Sequence, residues 1–138
     1  MNGLHILAEF LECAVDPPLM HDVGALRALC LRVCVEARLT VVSDAFHSFA
    51  ADGAPQGATG VVVLAESHLA IHTWPEFRAV TLDIYVCNVK MDSSDCAECA
   101  YRLLEQAFRP GQARRQAITR TEFSLLRRGY GDAPRTAP

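Results

Sequence analysis

Between Ala79 and Cys87 the chain alternates strictly. Val80, Leu82, Ile84 and Val86 fall on one side, and Thr81, Asp83, Tyr85 and Cys87 on the other. A period of two is the pattern of a half-buried strand, one face against a core and one face uncovered. Whatever fold the chain adopts must therefore contain a sheet with an open side.

The rest of the chain supplies the layer that covers the other side. Leu4–Leu11 reads as a buried strand. Asp16, Pro17 and Pro18 give a cap and a fixed first turn. Behind them Leu19, Val23, Leu26, Cys30, Val33 and Ala37 recur at three- and four-residue steps, which predicts one helix ending near Arg38. Leu39–Phe49 is β-branched and aromatic at its ends and reads as a strand. Ala51–Thr59, with Gly53, Pro55 and Gly57, reads as a loop. Strands follow at Gly60–Ala65, His68–Thr73 and Ala79–Cys87. Asp92 and Ser93 cap a second helix with Cys96, Cys99, Ala100, Leu103 and Ala107 along its core face, stopped by Arg109, Pro110 and Gly111. Ala113–Leu125 is a last strand, and Tyr130–Pro138 a loose tail. The order β-α-β-β-β-β-α-β predicts an α+β fold: a two-layer α/β sandwich, mainly antiparallel, with two helices on one face. Two helices cannot cover both faces, so the other is left for a site, a second subunit, or both.

Composition narrows the function classes. At 138 residues, 51% hydrophobic, the chain suits one domain, 1–138, with a substantial core. Its formal net charge of −3 offers no basic surface for phosphate contacts, so no nucleic-acid partner is expected. The longest apolar run, Val61–Ala65, is far too short to cross a bilayer. Residues 1–14 carry Glu9 and Glu12 with no Lys or Arg in front, a poor secretory signal. A cytoplasmic protein with no membrane partner is expected, its six cysteines reduced. Cys96 and Cys99 form a C-x-x-C pair without a second pair at zinc-finger spacing. They, like Cys30 and Cys34, read as small buried helix residues.

The chemistry concentrates in Glu66-Ser67-His68-Leu69-Ala70-Ile71-His72-Thr73-Trp74-Pro75-Glu76. A serine and two histidines suggest a hydrolase, but there is no G-x-S-x-G elbow and Ser67 falls between two strands. His68 and His72 share a strand face yet span about 13 Å. One metal ion cannot bridge that span with ligand bonds of about 2 Å, so no metal site is expected.

This segment resembles the self-processing site of the short prokaryotic S-adenosylmethionine decarboxylases. In the family's order the chain also carries Leu7-Ala8-Glu9-Phe10 with Cys13, Phe46-His47-Ser48-Phe49, Gly60-Val61-Val62-Val63, and Cys87 at the end of the following strand. His72 stands five residues after Ser67 and Cys87 twenty after it, the family's spacing. The resemblance implies a proenzyme in which the Ser67 hydroxyl attacks the Glu66 carbonyl. The chain would cleave into 1–66 and 67–138, leaving residue 67 as a pyruvoyl group. That covalent cofactor would form a Schiff base with an amine substrate and act as an electron sink as carbon dioxide leaves. His72 would be the acid/base group of self-cleavage, supported by the Thr59 hydroxyl where serine is usual, and Cys87 the proton donor of decarboxylation. Phe49 and Trp74 would meet the adenine and sulfonium of S-adenosylmethionine, and Glu76 the ribose hydroxyls. The product would feed spermidine synthesis. The resemblance further implies a homodimer of processed protomers with sites between them.

Two alternatives have their own signatures. A pyruvoyl-dependent arginine or ornithine decarboxylase on the same scaffold has no use for Phe49 and Trp74 as a nucleoside platform. A non-catalytic binding relative would have lost Ser67, His72 or Cys87. His68 belongs to the motif without a separate role, and His5 and His21 read as incidental. Departures from the family are a longer 50–59 loop, Thr59 itself, and Asn88 where glycine usually follows Cys87.

Overall fold

The alternation of 79–87 becomes a strand with one covered and one open face. The computed structural model describes residues 2–15, 17–50, 56–65, 67–88 and 93–120. Among these the elements are β1 (Asn2–Leu11), α1 (Pro17–His21), α2 (Val23–Glu36), β2 (Val41–Ser48), β3 (Ala58–Leu64), β4 (Ser67–Trp74), a 3₁₀ turn at Pro75–Phe77, β5 (Ala79–Asn88), α3 (Ser94–Phe108) and β6 (Gln112–Arg120). The strands form one antiparallel sheet in the order β2-β3-β4-β5-β1-β6. All helices lie on one side: α2 packs on β2 and β3, α3 on β1 and β5, and α1 against α2 and β4. This is the predicted α+β sandwich.

The core fills the space between the layers. Ile6, Phe10, Val62, Leu69, Ile71, Val80, Ile84 and Val86 point from the sheet into Leu26, Cys30, Val33, Leu104 and Phe108 of the helices. The intervening positions face away. His5, Leu7 and Glu9 of β1, His68, Ala70 and His72 of β4, and Thr81, Asp83 and Tyr85 of β5 sit opposite one another in register on the open face.

Three details differ from the sequence reading. The single helix expected over 17–38 is broken at Asp22, which turns extended and accepts hydrogen bonds from the Gly24 and Ala25 amides at 2.7 and 3.1 Å. A local cap there outcompetes helix continuation, so the covering layer has three helices rather than two. The core face of α3 is rotated by about one residue, to Ala97, Ala100, Tyr101, Leu104 and Phe108, leaving Cys96, Cys99, Leu103 and Ala107 half-buried. Its two large aromatics decide the rotation, because they pack on Phe10 at 5.7 and 6.3 Å and bury more apolar area than cysteine or alanine could. Cys96 and Cys99 are therefore not the buried residues expected, whereas Cys30 and Cys34 are fully buried. Burial pushes the Cys34 thiol up to about 11 and Cys30 higher still.

The loop also ends early. β3 begins at Ala58, so Thr59 is a strand residue paired with His72. Asp16, residues 51–55 of the loop, Asp92 and everything from residue 121 on, including the end of the predicted last strand and the tail, lie outside the described residues.

Candidate active site

β4 carries two separate groups of motif residues, one at each end. At its C-terminal end His72 faces Thr59 across the ladder, and Thr59 Oγ1 and His72 Nδ1 share a hydrogen bond at 2.8 Å. Two residues on, the Trp74 indole donates to Thr81 Oγ1 at 3.3 Å, which fixes the ring on the neighbouring strand. Phe49 stacks on Trp74, with centroids 5.7 Å apart and planes inclined by 29°. Phe49 is held there because its amide donates to the Gly57 carbonyl at 2.8 Å. Gly57 lies so close to the Thr73 carbonyl that any Cβ would collide with it, so only glycine lets the loop come in. Phe49, Trp74 and Glu76, with His21, Gln56, Gly57 and Pro75, line a cleft of about 680 Å³. That volume is in the range of small-molecule sites. Two aromatic faces and one carboxylate suit a ligand with a flat or cationic part and hydroxyl donors.

At the N-terminal end Ser67 is the first residue of β4, half-buried and paired with Leu64. Glu66 lies outside the described residues. Cys87 is half-exposed near the end of β5, opposite Gly3 of β1. His68 pairs with Tyr85, and Ser67 precedes His68, so Ser67 and Cys87 share one end of the sheet. An aromatic group stands beside them. The rings of His5, His68 and Tyr85 are 5.6 to 6.1 Å apart, and the Arg120 guanidinium lies 5.0 Å over Tyr85. His5 Nε2 is buried without a hydrogen-bond partner, 3.9 Å from Asp83 Oδ1. Burial holds the imidazole below its usual range, opposed by Asp83 and assisted by Arg120 and His68. Burial, and then hydrogen bonding to the Cys87 side chain, push the Tyr85 phenol up.

The structure thus brings Thr59 to His72, brings Phe49, Trp74 and Glu76 together, and sets Ser67 near Cys87. It does not bring Ser67 to His72 within one protomer. Five residues of extended strand separate them, roughly 16 Å. His5 and His21, incidental by sequence, and Thr81 and Tyr85, outside the motif, all stand beside site residues. For Thr81 and Tyr85 the signal was present: both occupy the open-face parity of β5 alongside Cys87. Among the described residues no group of three or more His, Cys, Asp or Glu side chains is placed to hold a metal ion. No described helix is long and apolar enough to cross a membrane.

Fold and site together define a class: an α+β enzyme built as a two-layer sandwich, with the Thr59 hydroxyl, the His72 imidazole and the Cys87 thiol on the uncovered face of an antiparallel sheet. Residues 4–121 match the family described as S-adenosylmethionine decarboxylase. The chain belongs to that family. It is 32% identical to the S-adenosylmethionine decarboxylase proenzyme of Carboxydothermus hydrogenoformans, over 88% of this chain and 91% of the relative. With the proenzyme of Thermoplasma volcanium it shares 37% identity, over 88% and 85% of the two chains. The crystal structure of the adenosylmethionine decarboxylase from Aquifex aeolicus superposes with a TM-score of 0.74 at 34% identity, covering 87% of this chain and 91% of that one.

Proposed function

We propose that this chain is a cytoplasmic proenzyme that cleaves itself between Glu66 and Ser67 and then decarboxylates S-adenosylmethionine, supplying aminopropyl groups for spermidine synthesis. The observation that carries this reading is the Thr59–His72 hydrogen bond set beside an aromatic, carboxylate-bearing cleft. It puts a proton-moving pair next to a pocket of the right chemistry. The names of the relatives, decarboxylase proenzymes for this substrate, agree with it.

The residues divide the work. The Ser67 hydroxyl, at the start of a strand directly after the bond to be cut, is the nucleophile that turns the Glu66–Ser67 amide into an ester; loss of the proton on Cα then expels the Glu66 carboxylate, and water hydrolyses the resulting enamine, through its imine, to a ketone with release of ammonia. His72, hydrogen-bonded to Thr59, is suited to moving protons in these steps, since a neutral imidazole carries one donor and one acceptor nitrogen. The pyruvoyl group made from Ser67 supplies the electron sink for loss of carbon dioxide from an amine-bearing substrate. Cys87 holds on its thiol the proton returned to the substrate carbon. Phe49 and Trp74 receive the adenine and sulfonium, and Glu76 the ribose hydroxyls. This aromatic platform favours the nucleoside over arginine or ornithine.

The same proposal includes a homodimer, because one protomer holds only half-sites. A two-fold pairing of open faces is self-complementary. Such a pairing would bring the end of the sheet that carries the Glu66–Ser67 bond and Cys87 up to the partner's Thr59 and His72, twice over. Val63 and Ile118, 39% and 45% exposed, are apolar residues such a contact would cover.

The test is intact-mass spectrometry. Wild-type protein should give pieces of about 7.2 and 7.9 kDa, the 15.1 kDa scaled by 66/138 and 72/138. Borohydride should add mass to the heavier piece alone, and carbon dioxide should be released from S-adenosylmethionine. Ser67→Ala and His72→Ala chains should each stay whole when made alone. When the two are co-expressed with different tags, the His72→Ala chain should split, because its serine meets a working histidine on its partner. Full-length mass alone after days at neutral pH would overturn the proenzyme reading. A mixture that never splits, with wild type splitting normally, would overturn the shared site.

A further inference from the structure

Tyr85 is placed to act on Cys87. The two are separated by one residue on β5, so both project from the open face. The phenol leans along the sheet over Gly3: a Cβ on Gly3 would stand 2.8 Å from Tyr85 Cε2 and 3.0 Å from its hydroxyl oxygen. Gly3 is the register partner of Cys87. The absence of a side chain at Gly3 leaves the hydroxyl room beside the residue that pairs with Cys87. The ring cannot easily turn away. His5 stands on one side of it and His68 on the other, with centroids at 5.6 and 5.8 Å, and Arg120 caps its face at 5.0 Å.

We propose that Tyr85 is a positioning residue for Cys87, its hydroxyl donating to Sγ so that the thiol proton points out over the open face toward the substrate. This deepens the decarboxylase reading and rests on it. When the S–H bond breaks, its proton goes to the substrate carbon and the bonding pair stays on sulfur. The phenol O–H then donates to a thiolate, a stronger hydrogen bond than it gives the thiol, until water returns a proton. Tyr85 would therefore make Cys87 the better acid in the step where it must release its proton. The raised pKa of the phenol, to which the Cys87 side chain contributes, is in keeping with such a contact. The titratable and charged groups around the pair are His5 from β1, His68 from β4, Asp83 from β5 and Arg120 from β6. Between pH 7.5 and 10 ordinary imidazole, carboxylate and guanidinium groups do not change charge, so a shift in that window belongs to the thiol and the phenol.

The experiment compares wild type with Tyr85→Phe, which keeps the ring and removes only the hydroxyl. The rate of Cys87 alkylation by iodoacetamide is followed against pH by peptide mass spectrometry, with half-exposed Cys96 and Cys99 as internal controls. The expected result is an upward shift of about one pH unit in the Cys87 midpoint, none at the control cysteines, and a fall of about tenfold in kcat with KM nearly unchanged. An unchanged Cys87 midpoint, or an equal shift at all three cysteines, would overturn the proposal. The intact mass of each protein and carbon dioxide release by wild type are read first. If wild type neither splits nor decarboxylates, the failure is that of the decarboxylase reading. The alkylation profile reports on Tyr85 in either case.

Discussion

Thr73 has no accessible surface, and its hydroxyl is used twice. It accepts from the Ala58 amide at 2.9 Å, where β3 begins, and donates to the Met20 carbonyl of α1 at 2.9 Å. One side chain between His72 and Trp74 therefore joins the start of β3, the end of β4 and the helix that brings His21 to the cleft. Thr73→Val keeps the shape and removes the hydroxyl. Two buried backbone groups lose their partner, at about 1–3 kcal/mol each, and the carbonyl is the cheaper one because of its second lone pair. The expected loss is roughly 2–4 kcal/mol. At about 4 °C per kcal/mol for a chain of this size, Tm should fall by roughly 8–16 °C. Thr73→Ser keeps both hydrogen bonds and gives up one buried methyl, about 1 kcal/mol. The measurement is urea and thermal unfolding by circular dichroism at fixed protein concentration, in a Ser67→Ala background that keeps the chain whole. Fluorescence of Trp74, the only tryptophan, reports on the cleft in the same samples. If the valine variant is as stable as the serine variant, the hydroxyl is not what holds this corner together.

Trp74→Ala removes one face of the cleft and should raise KM for S-adenosylmethionine about tenfold, the equivalent of about 1.4 kcal/mol of stacking and cation–π attraction; Thr81→Val, which only frees the indole, should raise it less. His5 has a folded pKa below its unfolded one, so the unfolded chain binds the extra proton and stability falls as pH drops below about 6.5 toward the folded value. His5→Gln should flatten that part of the stability curve, seen as a smaller Tm difference between pH 7 and pH 5. Iodoacetamide at pH 8 should label Cys87, Cys96 and Cys99 in the folded protein and leave Cys30 and Cys34 unlabelled until urea is added, because burial both shields those two thiols and raises their pKa.

What the sequence determined by itself was local. The parity of β5 was written in Val80, Leu82, Ile84 and Val86, because in a strand each residue's face follows from its neighbour's. Ser67, His72, Trp74, Glu76 and Cys87 were legible as a motif, since their spacing along one hairpin and the next strand is a property of the chain alone. The tertiary structure decided matters that depend on partners far away in sequence. β1 sits between β5 and β6 because residues 2–11 pair with 80–88 and 112–120, and no local period encodes that choice. Phe10 turned α3 by a residue, since the helix aims its largest apolar side chains at whatever the sheet offers. The Asp22 cap broke a periodicity that by itself looked continuous. The site shows the same division. A spacing of five residues sets how far His72 lies from Ser67 along the strand. Which groups approach each of them is decided by the cross-strand register that gives His72 to Thr59, and by Gly57, whose missing side chain admits Phe49 to Trp74.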